Sequence, residues 1–279
     1  MIKKRPPSSG LQWISDGISL FFESWLRWLL IGAFYLSVVV LPQLLLPGLI
    51  GSLLANMIAF VGIGYAMIAA EQQAAGQQIQ LGAVWRSFTD NGRIGRAFSV
   101  ALIITGIFFV LMLGVGYYLV SQFGDNIGEL EVIANQQKTD TEGAAQAMIA
   151  LLKPHLADLL GVLLLLSVVL MPVYWLYYYA LPLTVLQDRA VGESIKLAIE
   201  GGYKNIAAWL VFGLCYVLLA LVMLFTVSLT FGAALFAFLP ITFLIQYVSY
   251  KDIFSDTGVQ MSVDFTKPES SEDEDSRYF

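Results

Sequence analysis

The sequence predicts an all-α integral membrane protein whose six transmembrane helices form three hairpins, each preceded by a cytoplasmic amphipathic helix. Three observations predict it. Of 279 residues, 58% are hydrophobic and only 13% charged, against about 25% charged in soluble domains. The apolar residues gather into runs of about 20 or more, the length that crosses a bilayer core as a helix. Short charged segments of helical periodicity precede three of those runs.

The spans fall at about 26–46, 48–70, 97–120, 157–181, 206–226 and 229–249. Backbone in lipid must satisfy its own hydrogen bonds, so these are helices. Pro47-Gly48 alone joins the first two, and Thr226–Thr230 the last two, so both pairs are expected to be tight antiparallel hairpins. The membrane domain occupies 1–254, with an external loop at 121–156 and an acidic, solvated tail at 255–279. Five carboxylates of that tail are Glu269, Glu272, Asp273, Glu274 and Asp275, so the net charge of −6 says little about partners.

Orientation follows from Lys and Arg. Thirteen fall on the side holding both termini and the 71–96 and 182–205 segments, and only Lys138 and Lys153 on the other. Both termini are therefore expected in the cytoplasm. Lys3, Lys4 and Arg5 resemble the start of a signal peptide, but Asp16 and Glu23 interrupt the stretch that follows, so the start is expected to be retained. Trp175–Tyr179, a Trp-Leu-Tyr-Tyr-Tyr run, suits the inner interfacial belt.

The stretch 188-DRAVGESIKLAIEGGYKNIAAWLVFGL-214 sets out the repeated plan. Val191, Ile195, Ala198 and Ile199 share one helical face, with Arg189, Glu193, Lys196 and Glu200 on the other. Gly201-Gly202 is read as the helix stop. In 9–32 the apolar face is Leu11, Ile14, Ile18, Phe21 and Trp25. In 80–106 it is Leu81, Val84, Trp85 and Phe88, with Asp90-Asn91-Gly92 as the breaker. The chain reads as three parallel units of helix plus hairpin. Two placements of the amphipathic helices stay open, flat in the interface or packed over the mouth of the bundle.

Chemistry is sparse. No HExxH, GxSxG or phosphate-loop pattern is present, and one histidine, His155, and one cysteine, Cys215, are expected to build no metal site. No cofactor and no nucleic-acid partner is expected, and no enzymatic activity. The span centres carry no ionisable group. Their neutral polar residues include Asn56, Thr105 and Gln246, candidates for interhelical hydrogen bonds or a lined cavity. Pro172, Pro182 and Pro240 free carbonyls in the fourth and sixth spans. Gly51 with Ala55, and Ala66 with Ala70, are candidates for close packing. Asp188, Arg189, Glu193, Lys204 and Asp252 are the one plausible ionisable cluster at the cytoplasmic face. Partners are the lipid bilayer and a membrane-protein partner or second copy.

The stretches 181-LPLTVLQDRAVGESIKLAIEGGYKNIAAWLVFGL-214, 10-GLQWISDGISLFFESWLRWLLIG-32 and 247-YVSYKDIF-254 resemble a group of six-span bacterial inner-membrane proteins of unassigned activity. That group is loosely similar to the membrane domain found beside glycerophosphodiester phosphodiesterases. The resemblance implies a multi-pass fold in a bacterial inner membrane and no catalytic residues. Two functions remain open: lipid or partner binding without catalysis, and transport of a small molecule or lipid.

Overall fold

The structure is a computed structural model that describes residues 2–46, 48–89, 92–123, 132–133, 135 and 140–254. Pro47, the Asp90-Asn91 breaker, most of the acidic part of the expected external loop and the acidic tail lie outside the described residues. The described residues are all-α: α1 (Ser9–Glu23), α2 (Trp25–Leu45), α3 (Leu49–Ala74), α4 (Leu81–Thr89), α5 (Arg93–Phe123), α6 (Thr141–Leu152), α7 (Leu156–Trp175), α8 (Leu181–Leu186), α9 (Val191–Lys204), α10 (Ile206–Leu229) and α11 (Leu235–Phe254). A 3₁₀ turn, Lys153–His155, joins α6 to α7, and a π turn, Leu176–Ala180, joins α7 to α8.

Five helical runs are long and apolar enough to cross a membrane: Trp25–Leu45, Leu49–Ala74, Arg93–Ser121, Thr141–Leu186 and Ile206–Leu229. The chain is thus a membrane protein by composition and element length. The fourth run begins at Thr141, well before the expected 157, so the second part of the expected loop is helical. It starts where Asp140 accepts a hydrogen bond from the Gly143 amide at 2.9 Å, an N-cap. The expected sixth span, 229–249, is not among the five. A turn carrying positive φ at Phe231 and Gly232 delays α11 to Leu235. Gln246, Ser249, Lys251 and Asp252 then dilute its second half.

The chain divides into two units, Met1–Ile103 with Trp175–Phe279, and Ile104–Tyr174. In the second, the apolar side chains of α5 and α7, among them Val110, Leu113, Leu164 and Val168, are exposed. Gly114 and Gly116 meet nothing within 4 Å of where a Cβ would stand.

The first unit holds a packed core. α2 lies along α3, and α11 packs on α2. Gly51, Ala55, Ala66 and Ala70 are all buried, as their size predicts. Gly62 admits the ring of Tyr35, whose Cδ2 would stand 2.8 Å from an added Cβ. α1 packs between α10 and α11, which settles its placement on protein. Its buried face is Gly10, Trp13, Ile14, Gly17 and Phe21, whereas Leu11 and Trp25 of the expected face are exposed. The two glycines let backbones meet: a Cβ on Gly17 would come within 2.8 Å of the Ile245 nitrogen, and one on Gly10 would strike the backbone at Ala208 and Phe212.

Gly201-Gly202 does not stop a helix. Both lie within α9, buried, and a Cβ on either would collide with an aromatic ring, Phe254 for Gly201 and Trp175 for Gly202. The helix ends instead at Asn205, whose amide donates to the Gly201 carbonyl at 2.9 Å.

Candidate functional site

The polar residues of the first unit concentrate at one end of its core. α3 leaves its apolar run with Glu71, Gln72 and Gln73, all buried. Glu71 accepts from Lys251 Nζ at 3.0 and 3.1 Å and from the Tyr247 hydroxyl at 2.8 Å. α11 supplies both partners, one helical turn apart. Gln73 accepts from the Trp28 indole N–H at 2.7 Å and donates to the Leu20 carbonyl at 2.8 Å and to Glu23 at 3.2 Å. One side chain thereby ties α1, α2 and α3. Gln72 accepts from the Gln80 amide at 3.0 Å, closing the turn that leads to α4.

The candidate cluster of five ionisable residues resolves into four separate arrangements. Asp188, in the left-handed region at φ 50 where a short polar side chain is tolerated, receives a bidentate clasp from Arg93 at 3.0 and 3.2 Å and a further bond from Arg96. Arg93 is buried and also donates to the Ser87 carbonyl at 2.7 Å. Arg189 pairs with Glu193 one turn on and donates to Gln187 at 2.8 Å. Lys204 pairs with Glu200 at 2.8 Å on the exposed face of α9, and that contact holds the Glu200 carboxyl below its usual range. Asp252 pairs with Arg5 at 2.6 Å and accepts from the Trp13 indole at 2.9 Å.

Arg5 belongs to an N-terminal arm whose role the sequence did not disclose. The Arg5 amide donates to Asn205 Oδ1 at 2.7 Å, Asn205 Nδ2 donates to the Lys3 carbonyl at 3.0 Å, and the Lys3 amide to the Ile253 carbonyl at 3.0 Å. The arm is thus stitched to the α9–α10 junction and the end of α11. Beside it, Arg5, Trp13, Asp16, Tyr247, Lys251 and Asp252 border an open cleft of about 460 Å³.

The neutral candidates differ from one another. Gln246 is buried and donates to the Tyr177 and Tyr178 carbonyls at 3.1 and 3.0 Å. The cause lies four and five residues on: Pro182 has no N–H, so the carbonyls it would have served in an α or π pattern are free, and Gln246 replaces that donor twice. Asn56 is exposed and donates to the Ser52 carbonyl of its own helix at 2.9 Å, an intrahelical bond and not an interhelical one. Thr105, in the second unit, has a buried hydroxyl without a partner among the described residues.

A second concavity lies between α2, α3 and α4. It encloses about 140 Å³, and Ile31, Phe34, Tyr35, Val38, Val61 and Trp85 are among its walls. Gly62 opens its floor. Phe34 and Trp85, each half or more exposed, stand at its mouth. No family model, curated protein or solved structure matches the chain. Its function is therefore read from these sites alone. Among the described residues no group of His, Cys, Asp and Glu has the spacing of a metal site.

The sequence named Asp188, Asp252 and Gln246, but not Glu71, Arg93, Arg5 or the groove. Glu71 follows the expected end of its span by one residue, and the signal for it was the run Glu71-Gln72-Gln73 directly after an apolar helix. The groove had no signal, since its walls are the residues any span would carry.

Proposed function

We propose that this is a non-enzymatic, multi-pass protein of a bacterial inner membrane that binds lipid through the groove between α2, α3 and α4. The groove carries the reading: its walls are almost wholly hydrocarbon, it runs along a helix long enough to span the bilayer, and its mouth opens among exposed apolar side chains. The charged groups of the polar end support it from the other direction. Glu71, Asp188 and Asp252 are each held by a cation from another helix or from the arm, the arrangement of latches that fix a scaffold. Asn56, spent on its own helix, lends no support to a transport path.

The proposal includes six spans and cytoplasmic termini. α11 has 20 residues, or about 30 Å at 1.5 Å per residue, and the Lys and Arg count favours the side holding both ends. It also includes membership in the inner-membrane group that 181–214 resembles. Purification in a mild detergent followed by mass spectrometry of bound lipid tests the binding. Phospholipid is expected to persist through the purification, and to be reduced when Val61→Phe fills the groove. Loss of all lipid from the wild-type protein would overturn the reading. Reporter fusions at 140 are expected outside and those at 85, 190 and 260 inside.

A further inference from the structure

We infer that the groove takes one acyl chain of an anionic phospholipid whose phosphate is held by Arg27; this rests on the lipid-binding reading above. Arg27 precedes Ile31, Phe34 and Val38 by four, seven and eleven residues on α2, spacings that place all four on one helical face. The guanidinium therefore stands on the groove face, one turn beyond the apolar walls and toward the polar end, where its Nη2 donates to Gln78 Oε1 at 3.1 Å.

That partner is neutral. Among the described residues no carboxylate pairs with Arg27, whereas Arg5, Arg93, Arg189, Lys204 and Lys251 each have one. Glu23, the carboxylate nearest along the chain, is engaged by the Gln73 amide. Arg27 is half-buried, so part of its hydration is already lost, and a planar guanidinium matches a phosphate with two parallel N–H bonds. Ile31 to Val39 along α2 spans about 12 Å of hydrocarbon wall. A cation at one end of such a wall, with Trp85 beside the mouth at the level where aromatic rings prefer to sit, fits an amphiphile with an anionic head. The anionic lipids of a cytoplasmic leaflet supply that chemistry.

The test uses the full-length protein in detergent, titrated with phosphatidylglycerol or phosphatidylcholine bearing brominated acyl chains. Tryptophan quenching is the readout, with Trp85→Phe to identify the groove signal and native mass spectrometry to count retained lipids. Wild type is expected to bind phosphatidylglycerol about tenfold more tightly than phosphatidylcholine, the size of one charge-assisted contact. Arg27→Gln is expected to erase that preference with phosphatidylcholine binding unchanged, Arg27→Lys to keep most of it, and Val61→Phe to weaken both lipids. Equal affinities in the wild type, or a preference that survives Arg27→Gln, would overturn the headgroup assignment and leave the groove reading standing. A Val61→Phe protein that binds both lipids as before would overturn the groove reading itself.

Discussion

α3 and α10 are both apolar enough to cross a membrane, yet they are embedded in the protein to opposite degrees. Half of the most apolar window of α3 is buried inside the protein, against 6% for α10, although α10 has the higher mean hydropathy, 2.7 against 2.0. In a soluble protein the more apolar helix is the more buried one. The inversion shows that lipid, not protein, is the medium for most of α10. Only Ala208, Trp209 and Phe212, in its first two turns, are buried, against α1 and the aromatic residues around Tyr178. α3 instead meets α2, α4, α8 and α11 and ends in a buried Glu-Gln-Gln run. A helix that is solvated by protein carries polar anchors; a helix solvated by lipid needs none beyond its rim.

Substitutions can break that contrast. The largest effect is expected from Lys251→Ala, which leaves Glu71 charged and enclosed; loss of one partner of a buried pair costs about 3–5 kcal/mol. Thermal unfolding in detergent should show it, and Glu71→Gln combined with Lys251→Met should recover most of the loss. Gly202→Ala comes next, at about 1–3 kcal/mol for overpacking against Trp175. Gln246→Leu strips the donor from two carbonyls of the π turn and should cost about 1–3 kcal/mol, read by the same melts. On α10, Leu221→Ala removes an exposed side chain and should stay within about 0.5 kcal/mol. A loss of several degrees there would mean that another protein surface covers α10. The smallest effect belongs to Glu200. Its carboxyl is depressed when folded, so any contribution is present above its unfolded pKa and is lost as pH falls through the folded value. At an exposed pair, Glu200→Gln should leave the melt unmoved at neutral pH.

The long apolar helices were legible because the bilayer imposes length and composition on the sequence itself. What the sequence withheld depends on partners far along the chain. Gly201-Gly202 has two physical uses, freedom of φ and absence of a Cβ, and only the rings of Phe254 and Trp175 decide between them. Asn56 stood out as a polar residue in a span, yet the carbonyl four residues back was enough to satisfy it. Asp188, Arg189, Glu193, Lys204 and Asp252 were read together because they are charged and near one face. Their partners, Arg93, Gln187, Glu200 and Arg5, distribute them into separate contacts. α11 reads as a span by its first half and as a latch by its second.

The π turn at Leu176–Ala180 has a consequence for how the chain tolerates insertion and deletion. A π turn amounts to one extra residue in an α-helix, and each residue turns the helix by about 100°. Removing one residue from this turn would rewind it to a regular helix and swing everything that follows by roughly a quarter of a revolution. Asp188 would then face away from Arg93, and Gln246 would lose the carbonyls it serves. The turn acts as a phase shifter: a single unit of length, stored in the backbone, sets the angle at which the second half of the fold engages the first.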